Sequence, residues 1–223
     1  MFTGFSDKTT DFLWGIRFNN ERSWFLDHKN DYIEYVQKPL NALGKDVYDL
    51  FTQGHKDRNV LLHVSRIYRD ARRLYGRGPY KDTLWFSIRE VSDDWHDCPM
   101  LWFDISPEGY GYGLGFYSSR PALMNAFRKS IDANPARMLT LAEAFEGQNT
   151  FVLEGEEYRR PKGNPGGLLN RWYNRKYLDL SHHASDFAHY KPEFVRTLAE
   201  AYESLMPFYE YLYALPKDAE QKR

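Results

Sequence analysis

"LWFDISPEGYGYGLGF", residues 101–116, is the stretch whose reading decides the fold. Leu101, Phe103 and Ile105 alternate with Trp102 and Asp104. Successive side chains of a strand point to opposite faces, so this is the pattern of a half-buried strand. Ser106 to Gly109 supply a turn. Gly109, Gly111, Gly113 and Gly115 then share one face, and Tyr110, Tyr112, Leu114 and Phe116 share the other. A face of bare glycine weakens a strand and marks a place where something approaches the backbone closely. Upstream, "TLWFSI" at 83–88 repeats the alternation. Three antiparallel strands follow, at about 83–88, 100–106 and 110–117. Residues 150–160 of "TFVLEGEEYRRPKGNPGG" add a strand, a tight turn and a short strand before a glycine-proline loop.

Outward from this block the periodicity changes to that of helices. Ser6 and Asp7 start one, with Phe12, Leu13 and Ile16 on one face until Asn19 and Asn20. Glu21 to Phe51 carries apolar residues at three- and four-residue steps, but Pro39 cannot donate to the Tyr35 carbonyl and must bend or divide that helix. "VLLHVSRIY" at 60–68 suits a strand running into the segment that follows, yet 66–75 also fits a helix, and periodicity leaves both open. Pro121 and Pro135 each open a helix, and a last one begins near Pro192, with Pro207 set to kink it. Strands in one block flanked by N-terminal and C-terminal helices give an α+β fold. At 223 residues the expectation is one domain over 1–223.

Lysine and arginine number 30 against 31 acids, so no whole-molecule field draws nucleic acid or an anionic membrane. Any anion site must be local. The single cysteine, Cys98, excludes an intramolecular disulfide, and the opening residues lack a signal-peptide pattern, which predicts a cytoplasmic, reduced protein. No window suits a membrane span. Oligomeric state is not encoded in any motif here.

Motif chemistry is sparse. There is no phosphate-binding loop, the glycine alternation is no dinucleotide fingerprint because it lies inside a strand, and no G-x-S-x-G occurs. No cofactor is expected. Cys98 with His96 makes a poor nucleophile dyad, and a plain loop thiol is the better reading. His182, His183 and His189, with Asp179 and Asp186, match no metal spacing, so a surface loop is expected and metal is not. Trp85 and Trp102 could stack bases, but packing is the better account of aromatics in a sheet.

What remains is "RIYRDARRLYGRGPYK", residues 66–81, with six cations and one acid. Five are arginine, the planar donor suited to phosphate and carboxylate. Asp70 can orient two guanidinium groups and leave their other donors aimed at a ligand. Equally, Arg69 and Asp70 can form a buried ion pair that fixes the loop, with Tyr80 packed beneath.

Together "NNERSWFLDHKNDYIEYVQKPL" (19–40), "RIYRDARRLYGRGPYKDTLWFS" (66–87), "GYGLGFY" (111–117) and "RRPKG" (159–163) resemble the bacterial and fungal proteins grouped as domain of unknown function 2461. The resemblance covers nearly the whole chain. It implies a single α+β domain and brings no activity with it. Arg73 and the "LYGRG" insert depart from the family pattern, so Arg73 and Arg77 stay outside the carried-over set. That set is Arg66, Arg69, Asp70, Arg72, Tyr80 and Lys81, with Arg160, Lys162 and Lys176 as further ligand-binding candidates. If they converge, the glycine face of the third strand would be the floor of the site.

Three functions remain open on these residues. One is a module that binds an anionic, phosphate- or carboxylate-bearing small molecule or a nucleic-acid backbone. Another is an enzyme on a phosphorylated or acidic substrate, with Asp70, Tyr80 or a histidine moving the proton. The third is a cluster that only stitches the loop to the sheet.

Overall fold

The computed structural model describes residues 1–117 and 120–215. Helices α1 (Asp7–Phe18), α2 (Arg22–Asp27), α3 (Lys29–Asp31) and α4 (Lys38–Gly54) precede strands β1 (Val60–Val64), β2 (Leu84–Glu90), β3 (Pro99–Ser106) and β4 (Gly109–Phe116). There follow α5 (Pro121–Ala133), α6 (Pro135–Glu146), β5 (Val152–Glu154), α7 (Leu169–Tyr173), β6 (Asp179–Ala184) and α8 (Phe194–Tyr213). The strands form an antiparallel sheet in the order β1-β2-β3-β4-β6-β5, and the fold is α+β. The chain divides into two compact units. The first holds Met1–Ile88, Trp102–Tyr112 and His183–Ala201; the second holds Arg89–Leu101, Gly113–His182 and the segment from Tyr202.

In the first unit, the alternating residues of β2 and β3 build the core as their spacing requires. Phe86 and Phe103 stack at 5.3 Å, and Phe103 also meets Phe5 at 6.1 Å and Phe194 at 5.9 Å. Pro39 divides the long helical segment. It sits in the first turn of α4, directly after a π-helical turn at Tyr32–Gln37. The carbonyl of Tyr35, which a proline four residues on cannot serve, accepts instead from the Thr9 hydroxyl at 2.6 Å. The same oxygen of Thr9 accepts from the Ser6 backbone N–H at 3.2 Å, so one fully buried hydroxyl holds the start of α1 and the proline break together. Thr9→Val keeps the shape and strands both partners. We expect it to cost about 1–3 kcal/mol, read as a lowered urea midpoint with an unchanged slope.

In the second unit, Trp172 is buried between Phe145, edge-on at 5.3 Å, and Phe208, stacked at 5.5 Å. Arg128 is buried too. Its guanidinium donates to the carbonyls of Tyr173 and Arg175, both at 3.0 Å, and to Asn125 Oδ1 at 3.1 Å. A buried charge needs such partners.

Four expectations change. The 150–160 region is strand only over Val152–Glu154, because Gly155 turns the chain with φ +126, and the rest contributes one bridge, Glu157 to Arg175. Residues 66–75 are neither strand nor helix beyond a short 3-10 turn at Ala71–Arg73; Tyr68 bridges Tyr80 across the loop. His182 and His183 lie in β6, not in a surface loop. And what approaches the glycine face of β4 is the chain itself. A β-carbon at Gly113 would meet the Leu180 carbonyl oxygen at 2.1 Å, and one at Gly111 would meet His183 Nδ1 at 2.6 Å.

Candidate functional site

The basic loop is pinned at its base by backbone bonds from Arg69 N to the Pro79 carbonyl, 2.8 Å, and from Lys81 N to the Ile67 carbonyl, 2.7 Å. Asn20 clamps it from the end of α1. Its amide donates to the Tyr80 carbonyl at 3.0 Å and accepts from the Tyr80 N–H at 2.9 Å, as a neighbouring strand would. Tyr80 is buried and stacks on Phe25 at 4.3 Å. The ring is indeed packed beneath the loop.

One carboxylate does orient two guanidinium groups here, but it is Asp82. Arg69 donates to Asp82 Oδ1 at 3.1 Å and to the Tyr80 carbonyl at 2.8 Å, while Arg17 donates to Asp82 Oδ2 at 2.5 Å. Arg17 continues to Glu108. Asp70 instead serves its own turn. It accepts from the Arg72 backbone N–H at 3.0 Å and from the Arg72 guanidinium at 3.1 and 2.9 Å, in an exposed pair of little energetic weight. The Arg69–Asp70 pair considered above does not form.

The charges of Arg69 and Arg66 both reach Lys81. Lys81 is held below the ordinary lysine range, first by burial and then by the charges of Arg69 and Arg66. Among the described residues, neither Arg66 nor Lys81 has a carboxylate at ion-pair distance. The other candidates belong to the second unit. Lys162 Nζ lies 4.5 Å and Lys176 Nζ 5.9 Å from the Tyr158 ring centre, so these two are brought together, with Lys176 also bonded to Glu156 at 2.5 Å. Arg160 is exposed.

A cleft of about 520 Å³ opens in the first unit, lined by Thr83, Asp104, Ser106, Glu108, Tyr110 and His183. A β-carbon at Gly111 would crowd both His183 Nδ1 and Asp104 Oδ1, at 2.6 and 3.1 Å, which is why a glycine stands where carboxyl and imidazole meet. Burial raises Asp104 to about 6, against the opposing influence of His183 and a bond from the Gly111 backbone. The chain Arg69–Asp82–Arg17–Glu108 runs from the basic loop to this cleft. Trp85 and Trp102 are half-buried beside His63 and His183, at 5.2 and 6.0 Å. Cys98 is a thiol in the loop before β3, buried and directed toward the Asp94 carbonyl, 3.8 Å. No group of three or more metal-ligating side chains occurs among the described residues, nor is any helix among them long and apolar enough to cross a membrane.

Asp82, Asn20 and Arg17 escaped the sequence reading because their partners lie far along the chain. The one signal was an acid directly after Lys81. A family model described as conserved hypothetical protein (DUF2461) matches residues 8–211. No curated protein matches the chain.

Proposed function

The chain belongs to the DUF2461 family, and from its own geometry we propose that it binds an anionic, phosphate- or carboxylate-bearing small molecule at Arg66, Arg69 and Lys81. The observation that carries this reading is the shortage of counter-charge: the charges of Arg69 and Arg66 both bear on Lys81, and Asp82, the acid paired with Arg69, is already shared with Arg17. An anion would relieve that repulsion and restore Lys81 toward its ordinary range. Asp82 and the Tyr80 carbonyl hold Arg69 in place, so its ordering cost is met before the ligand arrives.

Isothermal titration with inorganic pyrophosphate tests the proposal. Lys81→Met should weaken binding by about tenfold, the worth of one charge-assisted hydrogen bond, and Arg66→Ala should act in the same direction. Equal affinity in the wild type and both variants would sink it. A single-stranded DNA oligonucleotide serves as the second probe; tight binding that falls steeply with salt would move the ligand class to a nucleic-acid backbone.

An enzyme is the second reading, favoured by the raised Asp104 in a cleft joined to the loop through Asp82 and Glu108. In that case Asp104 and His183 move the proton, since Asp70 is engaged by Arg72.

A further inference from the structure

A separate cleft of about 380 Å³ opens in the second unit between α5, the start of α6 and the end of α8. Its space comes from small side chains, since Ala122, Ala126 and Ala133 line it, and Tyr211 closes it from α8. The Tyr211 ring is 3% exposed, and the Arg137 guanidinium lies over it at 5.1 Å. A planar cation is thereby held beside an apolar hollow.

The polar groups around this hollow have donors to spare. Lys129 and Arg137 are both exposed, and neither has a carboxylate at ion-pair distance among the described residues. Asp132, three residues past Lys129, accepts instead from the Tyr173 hydroxyl at 3.0 Å. Asn125 Oδ1 accepts from the Arg128 guanidinium at 3.1 Å, which leaves the amide N–H groups of Asn125 to donate elsewhere. The Ser130 and Tyr211 hydroxyls share one hydrogen bond at 2.7 Å, so one of them keeps a hydrogen with no acceptor among the described residues. Burial raises the Tyr211 phenol, against the opposing influence of Ser130 and Arg137, and it stays protonated at neutral pH. Among the described residues no aspartate or glutamate lines the cleft. It offers donors and apolar surface, and its occupant must supply acceptors.

We propose that this cleft binds a monocarboxylate with a small apolar body, such as an arylalkanoate. The carboxylate would accept from Lys129 and Arg137, with the Asn125 amide in the same lining, and the body would rest beside the alanines and the Tyr211 ring. Most of the surface lining the cleft is apolar, so a purely inorganic anion would leave that surface uncovered and gain nothing from it. The cleft shares no residue with the basic loop, so either reading can fail alone.

Isothermal titration with 3-phenylpropionate tests it. The wild type should bind this acid, and the uncharged 3-phenylpropionamide should bind about tenfold more weakly, having lost the charge-assisted bonds. Excess inorganic phosphate should not displace the acid. Lys129→Met and Arg137→Gln, both at exposed positions, should each weaken binding by about threefold to tenfold, as expected for one partly solvated charge-assisted bond. Lys81→Met, in the basic loop, should leave the affinity unchanged. Absence of binding, the amide binding as tightly as the acid, displacement by phosphate, affinity unchanged in both cleft variants, or a loss caused by Lys81→Met would each overturn the proposal.

Discussion

Gly113→Ala should melt far below the wild type and give little soluble protein. A β-carbon there would stand 2.1 Å from the Leu180 carbonyl oxygen and 3.0 Å from the Ser181 Cα. Those are backbone atoms of a paired strand, so no side-chain rotation relieves the clash; β6 would have to leave β4. Overpacking in a core usually costs about 1–3 kcal/mol, and displacing a strand adds to that. A loss of about 4 kcal/mol or more is a large share of the roughly 5–15 kcal/mol that stabilises a typical domain. Gly76→Ala is the control. Gly76 has φ +79 with nothing within 4 Å of the added carbon, so it should lose only about 1 kcal/mol for the backbone conformation. Thermal unfolding of soluble material reads both. A Gly113→Ala protein melting with the wild type would refute the close approach of β6.

The second large effect is on pH dependence. Asp104 is raised to about 6 from 3.8, so between those values the folded state holds a proton that the unfolded state has released. Stability contributed at this position is therefore lost as pH rises from about 4 to about 6 and stays lost above. His189 is lowered from 6.5 to about 4, and there the unfolded state binds the extra proton. Its contribution is complete above about pH 6.5 and is lost as pH falls toward 4. The two slopes oppose each other across nearly the same window, so the combined contribution of Asp104 and His189 should be nearly level between pH 4 and 6.

Asp104→Asn removes one of them. Asparagine keeps an acceptor for the Gly111 N–H without burying a charge. At neutral pH the variant should gain about 1–2 kcal/mol, discounted from the full shift because Asp104 is only half-buried. Near pH 4 it should gain nothing, and its stability should now fall steadily with acid. Urea midpoints between pH 4 and 8 measure this. A variant no more stable than the wild type at neutral pH would contradict the burial of a charged Asp104.

The strands at 84–90, 99–106 and 109–116 were legible because each buries one face and so writes a two-residue period into the chain. Ser6 and Pro39 were legible as boundaries, since each acts on its own neighbours. β6 was not, for Asp179, Ser181, His182 and His183 carry no strand preference of their own; they pair because β4 offers glycine to receive them. The candidate site divides the same way. A dense run of arginine marked the loop, but which acid holds Arg69 depended on Arg17 and Asp82 meeting across the fold, and charge density near Asp70 pointed to the wrong carboxylate. Asp104 and His183 sit on strands far apart in sequence, and neither carries a motif.

The position of β6 between β4 and β5 also sets an order on events during translation. The ribosome finishes β4 well before it reaches residues 179–184, an interval on the order of seconds at ordinary elongation rates. Throughout that delay the Gly-Tyr-Gly-Tyr edge of the nascent chain has open amides and carbonyls and no native partner. Slowing elongation between β4 and β6 should thus lower the yield of soluble product, while a pause placed after residue 184 should be harmless.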